Sequence, residues 1–537
     1  MKIFLENCGS YNKECLILEV DFWDDRGYVT SFDVFYKNNL MNEYIGKVKI
    51  SKEGFNSFWD NKKIVDEMKK DNIIRDNNEI ILGDTYFSLS NEELYQNIWN
   101  ISRKTATDIL NSLKDSIYNF ELYKKYKNEN SFKWSLSRAY NTNYIEGPLK
   151  RLVNGEKKIN YDLSLDFNSN ILELNIDSYS NPPKNIYAVI GPNASGKTML
   201  LKKITQLILE EKYILTSNEK IVNVTYVSFS PFDDSKLLND FHTKKYQDNF
   251  NYIGLFAKNK KNNFKKNIKS KKILIKKYNK ILLYKYSNNF NVEYNLFNYF
   301  SKTIINDISY ILKNRVQSDI ELLKTMIENI SYDNNIKELG IINLIEEYEE
   351  IINKNDNRLK IRRRDLLNEL KSIFNSLSSG YKIVLITLIT LIAKVKEQSI
   401  LLIDEPELFL HPPLVLSFVN EINRILTQKN GFTLMVTHSP VVIQEIPLEC
   451  VYRINRSNSV VKLLKLNEEN IEFETYGGNI SEITTGIFGL ELQKTGFYKK
   501  ITDCYYSDGD KDYYKTLNLF DNNIGREGRI LIRNLEN

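Results

Sequence analysis

The spacing of apolar and polar positions changes character several times along this chain, and each change marks a different kind of element. Up to about residue 53, apolar and polar residues alternate in KIFLE, CLILEVDFW, VTSFDVFY and YIGKVKI, broken by turn residues such as Asp25-Arg26-Gly27, which predicts an antiparallel sheet. From Asn91 to about Lys127 the period becomes helical, with Ile109, Leu110, Leu113, Ile117 and Phe120 on one face; such a stripe is core packing. Two more strand-like segments, Tyr161 to Phe167 and Ile171 to Ile176, lead into Ile186, Tyr187, Val189 and Ile190, a run that reads as a buried strand. Ile221 to Ser230 is a second core strand. Tyr294 to Phe374 is mostly charged helix, with Ile308, Ile311 and Leu312 and then Leu322, Leu323, Met326 and Ile327 at helical spacing, and predicts a helical lobe. Beyond it lie a buried helix, Ile383 to Ala393, and strands at Ser399 to Ile403 and Leu434 to Thr437.

A chain of 537 residues exceeds one ordinary core, so these elements divide into subdomains. The pattern places a β-rich and then helical region at 1–160 and one lobe of an α/β head at 161–235. A basic segment and helical insertion follow at 236–375, then the second head lobe at 376–455 and a C-terminal region at 456–537. Lys and Arg number 74 against 69 Asp and Glu, and a net charge of +5 names no partner. Cys8, Cys15, Cys450 and Cys504 are scattered without a C-x-x-C, which argues against a disulfide framework or zinc site and makes a reducing cytoplasm the expected location. The N-terminus, MKIFLENCGS, lacks a secretion pattern, and the longest uncharged apolar run, Ile383 to Ala393, is too short to cross a bilayer, so no membrane partner is expected.

The most specific local pattern is Asn185 to Ile204, NIYAVIGPNASGKTMLLKKI. The buried strand breaks at Gly191 into a loop that ends in Gly196-Lys197-Thr198, a complete match to G-x-x-x-x-G-K-[ST]. Gly191 and Gly196 let the backbone wrap a phosphate without Cβ clashes. The loop Gly191-Pro192-Asn193-Ala194-Ser195-Gly196 and the helix N-terminus behind it direct N–H groups inward. Lys197 is placed to reach the β- and γ-phosphates and Thr198 to hold Mg²⁺ through its hydroxyl, so the expected ligands are ATP and Mg²⁺. A glycine-rich turn before an ordinary helix is the bland alternative, and the flanking strand and helix weigh against it. Further on, four apolar residues end in Asp404-Glu405-Pro406. Acids directly after a buried strand are poorly explained as a surface pair; Asp404 is placed to bind Mg²⁺ and Glu405 to polarise the attacking water.

Charge is uneven along the chain. Asn249 to Val292 holds twelve lysines and no acidic residue, interleaved with Phe264, Tyr278, Tyr284 and Tyr286. Such a block can bind a phosphate backbone while the aromatics stack on bases, or it can be a solvated loop in a chain rich in Lys, Asn, Ile and Tyr. On the first reading, reversing Lys265, Lys266, Lys271 and Lys272 to Glu weakens salt-sensitive nucleic-acid binding.

In their order along the chain, the phosphate loop, Leu377-Ser378-Ser379-Gly380, Asp404-Glu405 and the His438 of THSP resemble the ABC-type ATPase heads of the SMC, RecF and OLD group. Glu407-Leu408-Phe409-Leu410-His411-Pro412 resembles the LHP variant of the following loop found in OLD-like and RecF-like ATPases. The resemblance implies an α/β fold: an ABC-type ATPase head, a mixed sheet flanked by helices, with an N-terminal β-rich and helical region and a helical insertion lobe. It implies that Ser378, Ser379 and Gly380, at a helix N-terminus, bind the γ-phosphate held by another copy, so that two heads close on two ATP molecules. It implies that His438 senses the γ-phosphate and orients water. Two positions depart from the pattern. Tyr381 stands where many relatives have glutamine, and no glutamine closely follows Ser228-Phe229-Ser230-Pro231-Phe232, where ABC ATPases place one on Mg²⁺ and water.

Outside these motifs, Trp23-Asp24-Asp25-Arg26-Gly27-Tyr28, Ile45-Gly46-Lys47-Val48-Lys49-Ile50, Phe87-Ser88-Leu89, Tyr476-Gly477-Gly478-Asn479-Ile480 and Ile487-Phe488-Gly489-Leu490 resemble the PtuA ATPases of Septu antiphage systems and of some retrons. That resemblance implies an ATPase subunit that regulates or assembles an HNH nuclease partner similar to PtuB, with DNA, tRNA or a retron RNA–DNA as the nucleic acid. The rivals are a RecF-like or SMC-like repair ATPase and a scaffold whose assembly ATP controls. The segment after His438 lacks the acidic constellation of a Toprim nuclease, and Asp503, Asp508 and Asp510 read as a polar loop, so no nuclease site is expected in this chain. Phe488, Leu490 and Phe497 mark either a docking surface or completion of the core.

Overall fold

The computed structural model describes residues 1–230, 241, 246, 249–254 and 291–536. Short breaks fall at 10, 12, 23, 24, 26, 39–41, 58–61, 76, 157–159, 168, 169, 218, 219, 315, 332, 333, 355–358, 458, 459, 467–470, 493–495, 508 and 509. Most of the lysine-rich block lies outside the described residues, as do Trp23, Asp24, Arg26, Pro231, Phe232 and Asp508.

Alternation in the first fifty residues supplies four strands of a six-stranded sheet, whose order is Glu79–Ile80, Lys2–Leu5, Cys15–Asp21, Ser31–Lys37, Asn42–Lys52, Tyr86–Ser90. The expectation of an antiparallel sheet fails at one pair: Lys2–Leu5 runs parallel to Cys15–Asp21, with Lys2 opposite Cys15. A period of two tells which face each residue takes but is blind to strand direction. The helical stripe between 91 and 127 divides into Glu92–Ile101, Arg103–Ser112 and Phe120–Tyr126. Each break has a local cause. Ser102 caps the second helix by accepting from the Thr105 N–H at 3.0 Å, and Lys114 takes a left-handed φ of 52° after the last turn of that helix. Ile109, Leu110, Leu113 and Ile117 nevertheless share one buried core with the sheet.

The second core is the head. Its seven strands follow the order Phe250–Gly254, Val224–Ser228, Ile400–Asp404, Phe432–Val436, Ile186–Ile190, Val451–Ser457, Val460–Lys465, all parallel except the last. Central strands such as IYAVI and ILLID are buried throughout, as a parallel sheet covered by helices requires. The hairpin Tyr161–Phe167 and Asn170–Ile176 pairs with Ile214–Leu215 as a separate three-stranded sheet. Two parts of the head sheet fall outside the segments 161–235 and 376–455. Phe250–Gly254 carries the first lobe past 235, and the Val451–Lys465 hairpin carries the second past 455. The chain thus forms a mixed α/β fold whose sheets are flanked by helices.

The insertion helices Asn291–Asn314, Gln317–Ile330, Ile341–Lys354 and Lys360–Ser376 contribute to the same core as the head. Polar ties reinforce them: Lys429 pairs with Asp319, and Glu421 Oε1 accepts from Asn329 at 2.6 Å. At the C-terminus, Ile483 and Ile487 of helix Ile480–Leu492 complete the head core. Helices Gly496–Tyr506, Tyr513–Asn518 and Arg526–Glu536 instead bury Ile501, Tyr505, Tyr513, Leu517 and Ile532 among themselves. Among the described residues no helix is long and apolar enough to cross a membrane.

Candidate nucleotide site

The site lies where the parallel strands end. In register, Val189 is opposite Val436, Val436 opposite Asp404, and Asp404 opposite Ser228. This row brings the phosphate loop, the THSP loop, the acidic pair and the end of the second core strand together along one edge. One strand, Phe432–Val436, stands between the loop strand and the acidic strand.

The loop is shaped by backbone torsion. Gly191 has φ 156°, Ala194 63° and Gly196 100°, so the chain curls inward before helix Lys197–Leu209 begins. A Cβ at Gly191 would lie 2.3 Å from Ile454 O on the neighbouring strand, so that strand also demands glycine. The Lys197 ammonium is buried and donates to Gly191 O at 2.7 Å and Pro192 O at 2.9 Å. The Ser195 hydroxyl is buried with no hydrogen-bond partner among the described residues, an orphaned group at the centre of the cradle. Pro192, Asn193 and Ala194 are exposed at the rim and Thr198 is half-buried at the first turn of the helix. These observations fit a phosphate group, and the Thr198 hydroxyl and Asp404 carboxylate are the hard oxygen donors that Mg²⁺ prefers.

Asp404 is buried, with the Tyr226 hydroxyl 3.5 Å from its Oδ2. Glu405 takes φ 50°, a strained angle for a residue with a Cβ, and its N–H donates to Val436 O at 2.9 Å. His438 Nε2 lies 4.0 Å from Glu405 Oε1. The third carboxylate of the turn, Glu407, is absent from the sequence-based set. Its Oε1 accepts from the His438 N–H at 2.8 Å and from Thr437 Oγ1 at 2.9 Å. The available signal was a third acid, two residues after Asp404-Glu405 and directly before the apolar Leu408-Phe409-Leu410.

The LSSG turn is placed differently. Ser378 and Ser379 are exposed at the open N-terminus of helix Ser379–Lys394, and among the described residues no hydrogen bond joins them to the phosphate loop. Gly380 is buried beneath the acidic turn, where a Cβ would stand 3.2 Å from Phe409 O. Tyr381, in the place of glutamine, is buried in the core, and Leu408 and Phe409 beside the serines are exposed. His411 caps helix Pro412–Gln428 with its backbone and leaves its ring exposed.

Of the outer motifs, Tyr476-Gly477-Gly478-Asn479 backs the THSP loop. The Gly477 N–H donates to Gln444 O at 2.9 Å and Gln444 Nε2 to Gly478 O at 2.7 Å, just beyond the short helix Pro440–Ile443 that follows His438. Arg453 donates to Ile487 O at 2.8 Å, joining the strand beside Gly191 to helix Ile480–Leu492.

Residues 186–444 match the model of a family described as "AAA domain, putative AbiEii toxin, Type IV TA system". The chain is also similar to Protein ea59 of Escherichia phage lambda, 25% identical over 97% of this chain and 94% of that one. The family match, laid over the row of strand ends, supports an ATPase of the SMC/RecF-like type.

Proposed function

We propose that this chain binds ATP with Mg²⁺ and hydrolyses it between two head-to-head copies, as the ATPase subunit of a cytoplasmic antiphage complex with an HNH nuclease partner of the PtuB kind. The observation that carries the ATPase part is the single row of Val189, Val436, Asp404 and Ser228, which gathers the loops at one edge. Lys197 and the loop amides of residues 191–196 hold the phosphates. Thr198 and Asp404 hold Mg²⁺, which when bound neutralises phosphate charge. Glu405 polarises water, and His438 faces the same phosphate. Ser378 and Ser379 sit exposed at a helix end, with Gly380 buried behind them and no hydrogen bond to the loop of their own chain among the described residues, which supports their serving the loop of a second copy. Exposed Leu408 and Phe409 beside them give that face apolar area to bury.

Glu405→Gln is expected to lower steady-state ATP turnover by about 10²- to 10⁴-fold while retaining nucleotide, and to trap an ATP-dependent dimer or larger assembly visible by size-exclusion chromatography with light scattering. Lys197→Ala is expected to abolish nucleotide binding. Turnover at the wild-type rate by Glu405→Gln would sink the assignment.

The defence role rests on the outer-motif resemblance, and copurification with an HNH protein tests it. A second reading is a RecF-like or SMC-like repair ATPase that binds DNA without a nuclease, and the family match over residues 186–444 supports its ATPase part equally. ATPase activity stimulated by DNA, in a preparation that holds no nuclease, distinguishes it.

A further inference from the structure

The turn after strand Ile400–Asp404 sends one side chain sideways into the next loop. Glu407 Oε1 accepts from the His438 N–H at 2.8 Å and from Thr437 Oγ1 at 2.9 Å. Thr437 is fixed on two further sides. Its N–H donates to Val189 O of the phosphate-loop strand at 3.2 Å, and its hydroxyl accepts from the Ser439 N–H at 2.9 Å. One carboxylate therefore ties the acidic turn to a loop that is already tied to the phosphate-loop strand. The turn itself is closed by its own backbone, Leu408 N–H to Glu405 O at 3.2 Å and Leu410 N–H to Glu407 O at 3.1 Å, so a displacement of Glu407 carries Glu405 with it.

Stability alone explains Glu407 poorly. Burial pushes its carboxyl above the usual range and nearby Glu405 adds to that, against the hydrogen bonds from His438 and Thr437. Its second oxygen, Oε2, is buried with no hydrogen-bond partner among the described residues. A half-satisfied buried carboxylate costs free energy, whereas an apolar residue would leave the His438 N–H and the Thr437 hydroxyl without this acceptor, so what Glu407 contributes is the link between the two loops. What the carboxylate provides is a set distance: both ends of the 4.0 Å gap between Glu405 Oε1 and His438 Nε2 are anchored through it.

We propose that Glu407 is a positioning residue, which registers His438 against Glu405 so that both face one phosphate and one water. The inference rests on the ATPase reading above and adds the element that couples its two candidate catalytic side chains. Glu407 acts through backbone and hydroxyl contacts.

The test compares wild type, Glu407→Ala, Glu407→Gln, Thr437→Val and the Glu407→Ala/Thr437→Val double variant in full-length protein. ATP turnover is measured against ATP concentration, and binding with a fluorescent ATP analogue. Glu407→Ala and Thr437→Val are expected to lower kcat by about 10- to 100-fold, because small misplacements of reacting groups cost that much. KM and analogue affinity stay within about twofold, since no ground-state contact is removed. Glu407→Gln keeps the accepting oxygen and restores most of the turnover. The double variant is no worse than the worse single one, because both remove the same link. A kcat for Glu407→Ala equal to wild type, a Gln variant as poor as Ala, or strictly additive losses would overturn the role of Glu407 alone. A wild-type protein that turns over no ATP overturns the ATPase reading, and this inference with it. Thermal denaturation reports folding of each variant; if Glu407→Ala does not fold, Thr437→Val and Glu407→Gln decide the matter by the same kcat and KM criteria.

Discussion

Two glycines bracket the phosphate loop for different reasons, and the difference is measurable. At Gly196 nothing lies within 4 Å of a built Cβ, so only the φ of 100° excludes a side chain. Gly196→Ala is expected to cost about 1–2 kcal/mol of backbone strain and to leave a folded protein. At Gly191 the added carbon would meet Ile454 O at 2.3 Å and Ile454 Cγ2 at 2.8 Å, and strand Val451–Ser457 is held in register against Ile186–Ile190. Gly191→Ala must push that strand away, a cost on the order of 2–3 kcal/mol added to the strain. Thermal denaturation in the presence and absence of ATP checks both; equal losses would show that torsion alone sets the requirement. The loop was legible in the sequence because residues 191–198 are spaced along one continuous turn. The contacts of Gly191 with Ile454 and of Glu407 with Thr437 and His438 were not, because no local spacing rule links residues that meet only when strands pair.

Helix Ser379–Lys394 shows how much an element's own pattern conveys. Its unbroken apolar run announced burial, but a helix apolar all round has no single direction in which to look for partners. One end presents the exposed serines. At the other, Thr390 Oγ1 donates to Asp307 Oδ2 at 2.9 Å and Lys394 lies 3.4 Å from the same oxygen, which joins the helix to the insertion lobe. Burial raises the Asp307 carboxyl above its ordinary 3.8, against the opposing pull of Lys394 and Thr390. A carboxyl with a raised folded pKa binds its proton more tightly in the folded state. Its contribution to stability is therefore complete below 3.8 and is lost as pH rises through the raised value. The melting temperature of wild type minus that of Asp307→Asn is expected to grow as pH falls from neutrality toward 3.8, in a series of thermal melts at constant ionic strength. A difference that shrinks on acidification would mean that the Lys394 pair dominates. The same limit explains the N-terminal sheet: alternation announced the strands, and the parallel pairing of the first two depended on the path of the connection.

At the scale of the whole molecule, two hydrophobic cores meet across a polar seam. Arg151 Nη2 lies 2.7 Å from Glu397 Oε1, with side chains 6% and 13% exposed. Lys396 pairs with Glu92 at 3.0 Å and lies 5.4 and 5.7 Å from the ring centroids of Tyr140 and Tyr144. Burial opposes charge on both members of that pair, but Lys396 and Lys429 hold Glu92 below its usual range, and Glu92 with Tyr310 holds Lys396 above. Asn141 and Asn143 add bonds to Val222 O at 2.8 Å and Ile221 O at 3.1 Å. None of this was legible beforehand: charges at 92, 151, 396 and 397 look like ordinary surface charges until two distant parts of the chain fold together. The seam grips the connection between the LSSG helix and the Asp404 strand, which makes the N-terminal helical region a brace for the site. Removing one member strands a buried charge, so Arg151→Ala is expected to cost about 3–5 kcal/mol, whereas Arg151→Met with Glu397→Met, which leaves no charge behind, recovers most of that loss. Each core keeps its own apolar contacts, so the single variant is also expected to split calorimetric unfolding into two transitions, with the double variant returning toward one. If Arg151→Ala lowers stability no more than the double variant does, Glu397 is reaching water in the folded protein and the seam does not brace the site.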